Sequence, residues 1–218
     1  MGAVYEKRFA WGVLFRLFHW AFALAIVFLV TTGFYIHFPW SNSVIEGSRS
    51  FPVAEMRYIH FVAGFVFIAA VLTRLYLWFF GNRQEKIWDC APITPSNIKD
   101  FFSTLAYYLY LKSENEPRLG HHTLAGAVYI VTIGLAFFQI VSGLWMLYPE
   151  SVFWQKWGVA IFATQAQARL IHYLLTWYFI IFTCIHLYIL IWNDIMEPEG
   201  LISSIFTGRK FFHKGALK

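Results

Sequence analysis

Apolar residues run for the width of a membrane at four places in this chain, near 13–37, 59–80, 124–147 and 170–193. Each run is long enough to cross about 30 Å of hydrocarbon as a helix. The breaks carry helix-stopping residues: Pro39 with Ser41-Asn42-Ser43, then Gly81-Asn82-Arg83, then Pro149-Glu150-Ser151. The polar stretch after the second run is long, and Thr94-Pro95-Ser96 reads as a helix start within it. From 97 to 112, Lys99, Asp100 and Lys112 alternate with Ile98, Phe101, Phe102, Leu105, Tyr108 and Leu109. That pattern predicts an amphipathic helix on the cytoplasmic membrane surface, with no chemical role. The expected fold is all-α: a single-domain integral membrane four-helix bundle over 1–218, plus this interfacial helix.

Composition agrees. Of 218 residues, 59% are hydrophobic and 13% charged, against about 25% charged in soluble domains. Aromatics reach 21%. These figures exclude a disordered chain, a secreted disulfide scaffold and an ordinary cytosolic enzyme. Cys90 and Cys184 form no CxxC pattern, so no zinc or iron–sulfur signature is present. The net charge of +5 comes without a basic run or face, which argues against nucleic acid as a partner. No cleavable signal is expected, because the first run ends in bulky Tyr35-Ile36-His37-Phe38-Pro39-Trp40.

The basic residues are distributed by side. The N-terminus, the loop after the second run and the tail hold 13 of the 17 Lys and Arg residues, and the other two loops hold Arg49, Arg57, Lys156 and Arg169. By the positive-inside rule both termini are cytoplasmic. Tryptophans at 11, 40, 78, 145, 154, 157 and 192 fall near the run ends, as an interfacial belt should.

Four of the eight histidines, His19, His60, His172 and His186, lie in or at the ends of apolar runs. Three follow an arginine in one register: Arg16-Leu17-Phe18-His19, Arg57-Tyr58-Ile59-His60 and Arg169-Leu170-Ile171-His172. Residues three apart share a helix face, so each arginine lies one turn closer to water than its histidine. That suits a ligand with a metal centre and peripheral carboxylates. Haem b has both, and Arg16, Arg57 and Arg169 can pair its propionates.

His172 and His186 are 14 residues apart on one run. Fourteen steps come within about 40° of whole turns and about 21 Å along the axis, so one helix can serve two stacked haems. Depth assigns the partners. His60 is level with His172 on the outer side, and His19 is level with His186 on the inner side. Buried ionisable residues in a membrane are functional by default. A zinc or copper site would need three or four ligands at one depth, whereas these split two and two. Two histidines per iron close both axial positions, which implies electron transfer rather than oxygen chemistry. Gly33 and Gly64 are expected to serve helix packing, His37 to be interfacial and His213 a solvated tail residue.

These residues resemble the b-type cytochrome subunit of membrane-bound nickel–iron hydrogenases, within the wider group of formate dehydrogenase gamma subunits. The resemblance runs from about residue 10 to the tail. It rests on Arg16-Leu17-Phe18-His19-Trp20, His60-Phe61-Val62-Ala63-Gly64, Arg74 with Phe80-Gly81-Asn82-Arg83, Gly120-His121-His122, the His172/His186 run, Asp194-Ile195-Met196 and Ile202-Ser203-Ser204-Ile205-Phe206-Thr207-Gly208. It implies an inner-membrane, multi-pass cytochrome joined to the small and large subunits of a periplasmic hydrogenase. Electrons would enter at the outer haem, pass to the inner haem and leave to menaquinone or ubiquinone near the cytoplasmic face. No hydrogen-splitting site is expected in this chain, and the inner haem is the one expected to be lost in detergent. His122 departs from the family pattern, where Asn commonly follows Gly-His. His122, with His121 as second choice, is expected to line the quinone pocket. The rival readings are a cytochrome subunit of formate dehydrogenase or thiosulfate reductase, and a non-redox membrane protein binding metal or protons.

Overall fold

The computed structural model of the protein describes residues 5–40, 51–113, 118–196 and 199–213. Four helices are long and apolar enough to cross a membrane: α1 (Val13–His37), α2 (Pro52–Phe80), α5 (Thr123–Leu147) and α7 (Gln165–Met196). Between α2 and α5 lie a 3-10 turn (Arg83–Glu85), α3 (Ile87–Cys90) and α4 (Pro95–Tyr108); α6 (Val152–Phe162) precedes α7 and α8 (Leu201–Thr207) follows it. The spans keep large apolar side chains exposed, among them Leu24 and Phe28 on α1, Leu72 and Phe79 on α2, and Ile181 and Ile191 on α7. Faces of that kind need lipid rather than water.

The hydropathy pattern located α1 and α5 to within a residue and shortened the other two spans. α2 begins seven residues before the expected 59, with Pro52 in its first turn, and α7 overruns 170–193 at both ends. Polar residues such as Glu55 and Arg57 end a hydrophobic run but not a helix, so the helix continues beyond the hydrocarbon. The expected start of α4 is present: Thr94 Oγ1 accepts the Asn97 N–H at 3.2 Å. The expected break at Ser41-Asn42-Ser43 lies outside the described residues.

The all-α expectation needs one correction. β1 (Tyr5–Phe9) and β2 (Arg209–His213) pair antiparallel, with Tyr5 opposite His213 and Phe9 opposite Arg209. Neither strand has enough alternation to be read from sequence, and their pairing joins segments some two hundred residues apart. Gly208, at φ 77°, ends α8, and its carbonyl accepts the Ala10 and Trp11 N–H groups at 2.9 and 3.1 Å.

The chain divides into two compact units, Phe18–Leu72 with Phe137–Ile181, and Met1–Leu17 with Thr73–Ala136 and Phe182–Lys218. In the first unit Phe22 stacks on Phe67 at 4.8 Å, Phe67 meets Phe179 edge-on, and Trp145 stacks on Phe162. In the second unit Arg118 is a hub. It pairs with Asp100 at 2.8 Å and donates to Thr123 Oγ1 and the Asp89 carbonyl, tying α3 and α4 to the start of α5. Arg74 is buried at the end of α2, over the Phe15 and Trp78 rings, and donates to the Glu85 carbonyl.

Candidate haem-binding site

Within the first unit, α2 and α7 bring His60 and His172 face to face. Their ring centroids are 6.4 Å apart and their planes are tilted by 55°. A metal held about 2 Å from one nitrogen of each ring requires centroids about 6 Å apart, so the pair is spaced for one axially ligated iron. Among the described residues no group of three or more His, Cys, Asp or Glu could hold a metal ion. A pair, rather than a cluster, suits haem, whose macrocycle supplies the other four ligands.

Both rings are held by a neighbouring helix. Thr32 Oγ1 on α1 is 2.9 Å from His60 Nδ1, and Ser142 Oγ on α5 is 2.9 Å from His172 Nδ1. Both hydroxyls are almost wholly buried. The residue after each is glycine: a Cβ at Gly33 would stand 3.4 Å from His60 Cε1, and one at Gly143 3.3 Å from His172 Cε1. The expected packing role of Gly33 is thus specific, since it lets the imidazole approach α1.

Sequence reading missed Thr32, Ser142 and Gly143, although the chain carried a signal for them. Thr32-Gly33-Phe34-Tyr35-Ile36-His37-Phe38-Pro39 matches Ser142-Gly143-Leu144-Trp145-Met146-Leu147-Tyr148-Pro149 in pattern. Arg57-Tyr58-Ile59-His60-Phe61 likewise matches Arg169-Leu170-Ile171-His172-Tyr173. Aligning the two halves would have shown a duplicated hydroxyl–glycine frame, each copy followed by its Arg-x-Ile-His.

His19 and His186 fall in separate units. On α7, His186 stacks on Phe182 at 5.8 Å, and its Nδ1 is 3.5 Å from the Tyr129 hydroxyl. On α1, His19 meets Trp20 edge-on at 5.4 Å. Of the three arginines, Arg57 and Arg169 are exposed one turn before their histidines. Arg16 is half-buried; it donates to the Phe206 carbonyl, while its Nε is buried without a hydrogen-bond partner among the described residues. That orphaned donor suits a carboxylate such as a haem propionate.

The two loop histidines differ. His121 stacks on Trp11 at 4.6 Å and meets Tyr129 edge-on at 4.9 Å, so Tyr129 stands between it and His186. Burial pushes the His121 imidazole well below its ordinary value, and the nearby Lys210 and Arg74 cations push the same way. His122 instead faces Asp100, with Nδ1 3.5 Å from Oδ1. Burial alone would raise the Asp100 carboxyl, but bonds from His122 and from the Thr123 N–H hold it well below the usual carboxylate range. Lys210 donates to the Arg118 and Gly120 carbonyls, and burial pushes its ammonium down to about 8.

Four helices long and apolar enough to cross a membrane, with two facing histidines spaced for one iron, fit a multi-pass membrane cytochrome of the b type. The chain belongs to the prokaryotic cytochrome b561 family, whose profile matches residues 10–208. Such a protein carries haem b and moves electrons within the inner membrane. It is 31% identical to a probable Ni/Fe-hydrogenase B-type cytochrome subunit of Rhodobacter capsulatus, over 90% of this chain and 79% of that one. A subunit of the same name from Cupriavidus necator is 30% identical over 90% and 84%. The probable Ni/Fe-hydrogenase 1 B-type cytochrome subunit of Escherichia coli K12 is 28% identical over 88% and 86%.

Proposed function

We propose that this chain is the b-type cytochrome subunit of a membrane-bound nickel–iron hydrogenase, passing electrons from hydrogen oxidation at the periplasmic face to the quinone pool. The observation that carries it is the His60/His172 pair, spaced for one iron, in a chain similar along 90% of its length to subunits so named. Haem b, when bound, supplies one-electron exchange. His60 and His172 would hold its iron and would leave no ligand position open for oxygen. Arg57 and Arg169 reach the propionates from one turn nearer the surface.

A second haem is held by His19 and His186, on the depth argument from the sequence, with Arg16 at its propionates. This is the haem expected to leave in detergent. Both termini face the cytoplasm, by the distribution of Lys and Arg. The exposed Ile98 and Phe102 on α4, with exposed Leu109 just after its end, support its lying on the cytoplasmic membrane surface. Menaquinone or ubiquinone binds at His122, with His121 behind it. With Nδ1 on Asp100, a protonated His122 can offer Nε2–H to a quinone carbonyl and release that proton as charge develops there. The contact chain His121–Tyr129–His186 supports placing the pocket beside the inner haem.

The test uses membranes holding the whole complex. Hydrogen should reduce the haem α band, and His60→Ala should abolish hydrogen-driven quinone reduction while the hydrogenase still reduces a soluble dye. A band that stays oxidised under hydrogen but is reduced by formate would assign the chain to a formate dehydrogenase. A colourless purified chain would sink the haem reading altogether.

A further inference from the structure

We infer that Thr32 and Ser142 are positioning residues for the iron held by His60 and His172. Each hydroxyl accepts the Nδ1 proton of one axial histidine, which presents Nε2 to the metal and strengthens the ring as a donor. The inference rests on the reading that this pair ligates haem b.

The direction of both bonds follows from counting protons. A serine or threonine hydroxyl has one hydrogen to give. Thr32 Oγ1 lies 2.6 Å from the Phe28 carbonyl, and Ser142 Oγ lies 3.0 Å from the Gln139 carbonyl. A carbonyl can only accept, so each hydroxyl proton has an acceptor on its own helix. Each ring also meets a backbone carbonyl there, Leu29 for His60 and Gln139 for His172, to which it can only donate. The 2.9 Å contacts to His60 and His172 are then N–H donating to oxygen. Each neutral imidazole carries one ring proton, so with it on Nδ1 the Nε2 lone pair is left for the iron.

Ordinary helix chemistry accounts for only half of this arrangement. Serine and threonine within helices commonly bond back to a carbonyl one turn earlier. Thr31, beside Thr32, does so with Val27, but it is exposed. Thr32 and Ser142 are satisfied in the same way yet are buried, each brought to hydrogen-bond distance of a histidine nitrogen. The glycine that follows each of them makes room for that ring. The device occurs twice, once in each copy of the repeated frame, and both times it meets the histidine of an Arg-x-Ile-His segment. A partner that accepts the Nδ1 proton pushes electron density onto the ring. That favours the ferric state, orients the ligand and raises its affinity.

The experiment takes the full chain with its native haem and compares Thr32→Val, Ser142→Ala and the double variant with Thr32→Ser and Ser142→Thr. The spectral component lost in His60→Ala identifies the haem to follow. Its midpoint potential should rise in each hydroxyl-free variant and rise further in the double. Haem transfer to apomyoglobin should become about 10-fold more favourable. Both effects should be reversed by the conservative exchanges. A wild-type midpoint with haem retained in the double variant would overturn the inference. So would haem loss that Thr32→Ser and Ser142→Thr fail to restore. If His60→Ala and His172→Ala themselves keep the full spectrum, ligation by this pair fails, and the positioning role with it.

Discussion

The imidazoles of His60 and His172 face one another with centroids 6.4 Å apart, each held through Nδ1 by a buried hydroxyl on a different helix. Because one iron would need both rings, His60→Ala and His172→Ala should remove the same spectral component. His186→Ala should leave it in place. Pyridine haemochrome assays with reduced-minus-oxidised spectra check this, and loss of one component in both His60→Ala and His186→Ala would break the pairing by depth.

Gly158 on α6 carries a different kind of constraint. A Cβ there would run into the Trp145 indole, which is buried against Phe162. Gly158→Ala should therefore destabilise the chain by about 1–3 kcal/mol, as overpacking does, without changing the haem spectrum of the protein that folds. Thermal unfolding in detergent with the α band as a second probe separates the two effects. An unchanged melting temperature would mean that α6 shifts at no cost.

Asp100 should give stability a pH dependence. Its native carboxyl titrates below the unfolded value of about 4, so its contribution is complete above that value and is lost as pH falls through the acid range. Asp100→Asn should melt below wild type at neutral pH, and the gap should begin to narrow only as pH falls below about 4, shrinking further with continued acidification. A gap that stays constant with pH would show that the Asp100 charge is not what holds Arg118 and Thr123.

Topology can be read with reporter fusions. Fusions after Lys218 and within 83–118 should report the cytoplasm, and fusions near 155 the periplasm, as should one near 45, which lies outside the described residues. The basis is the placement of 13 of 17 basic residues on one side. A periplasmic tail would exchange the inner and outer sites and reverse the electron path.

The quinone reading turns on His122. In the intact complex, His122→Ala should keep hydrogen-driven dye reduction and haem content, yet lose most hydrogen-driven menaquinone reduction. Quinone reduction at the wild-type rate would place the pocket elsewhere.

The spans, the four intramembrane histidines and the arginine before three of them could be read from the chain alone. Hydropathy and helical spacing are local properties that survive without a fold. The start of α4 was legible for the same reason, since Thr94 and Pro95 act within one turn. The β1–β2 ribbon, the Arg118 hub and the contacts that bring Thr32 to His60 and Ser142 to His172 were decided only by the tertiary structure. Each joins residues distant in sequence, and a buried threonine that orients a ligand is, on its own helix, indistinguishable from one that merely bonds back to its own carbonyl. Which role it plays depends on what the neighbouring helix places within 3 Å of it, and one-dimensional periodicity holds no record of that distance.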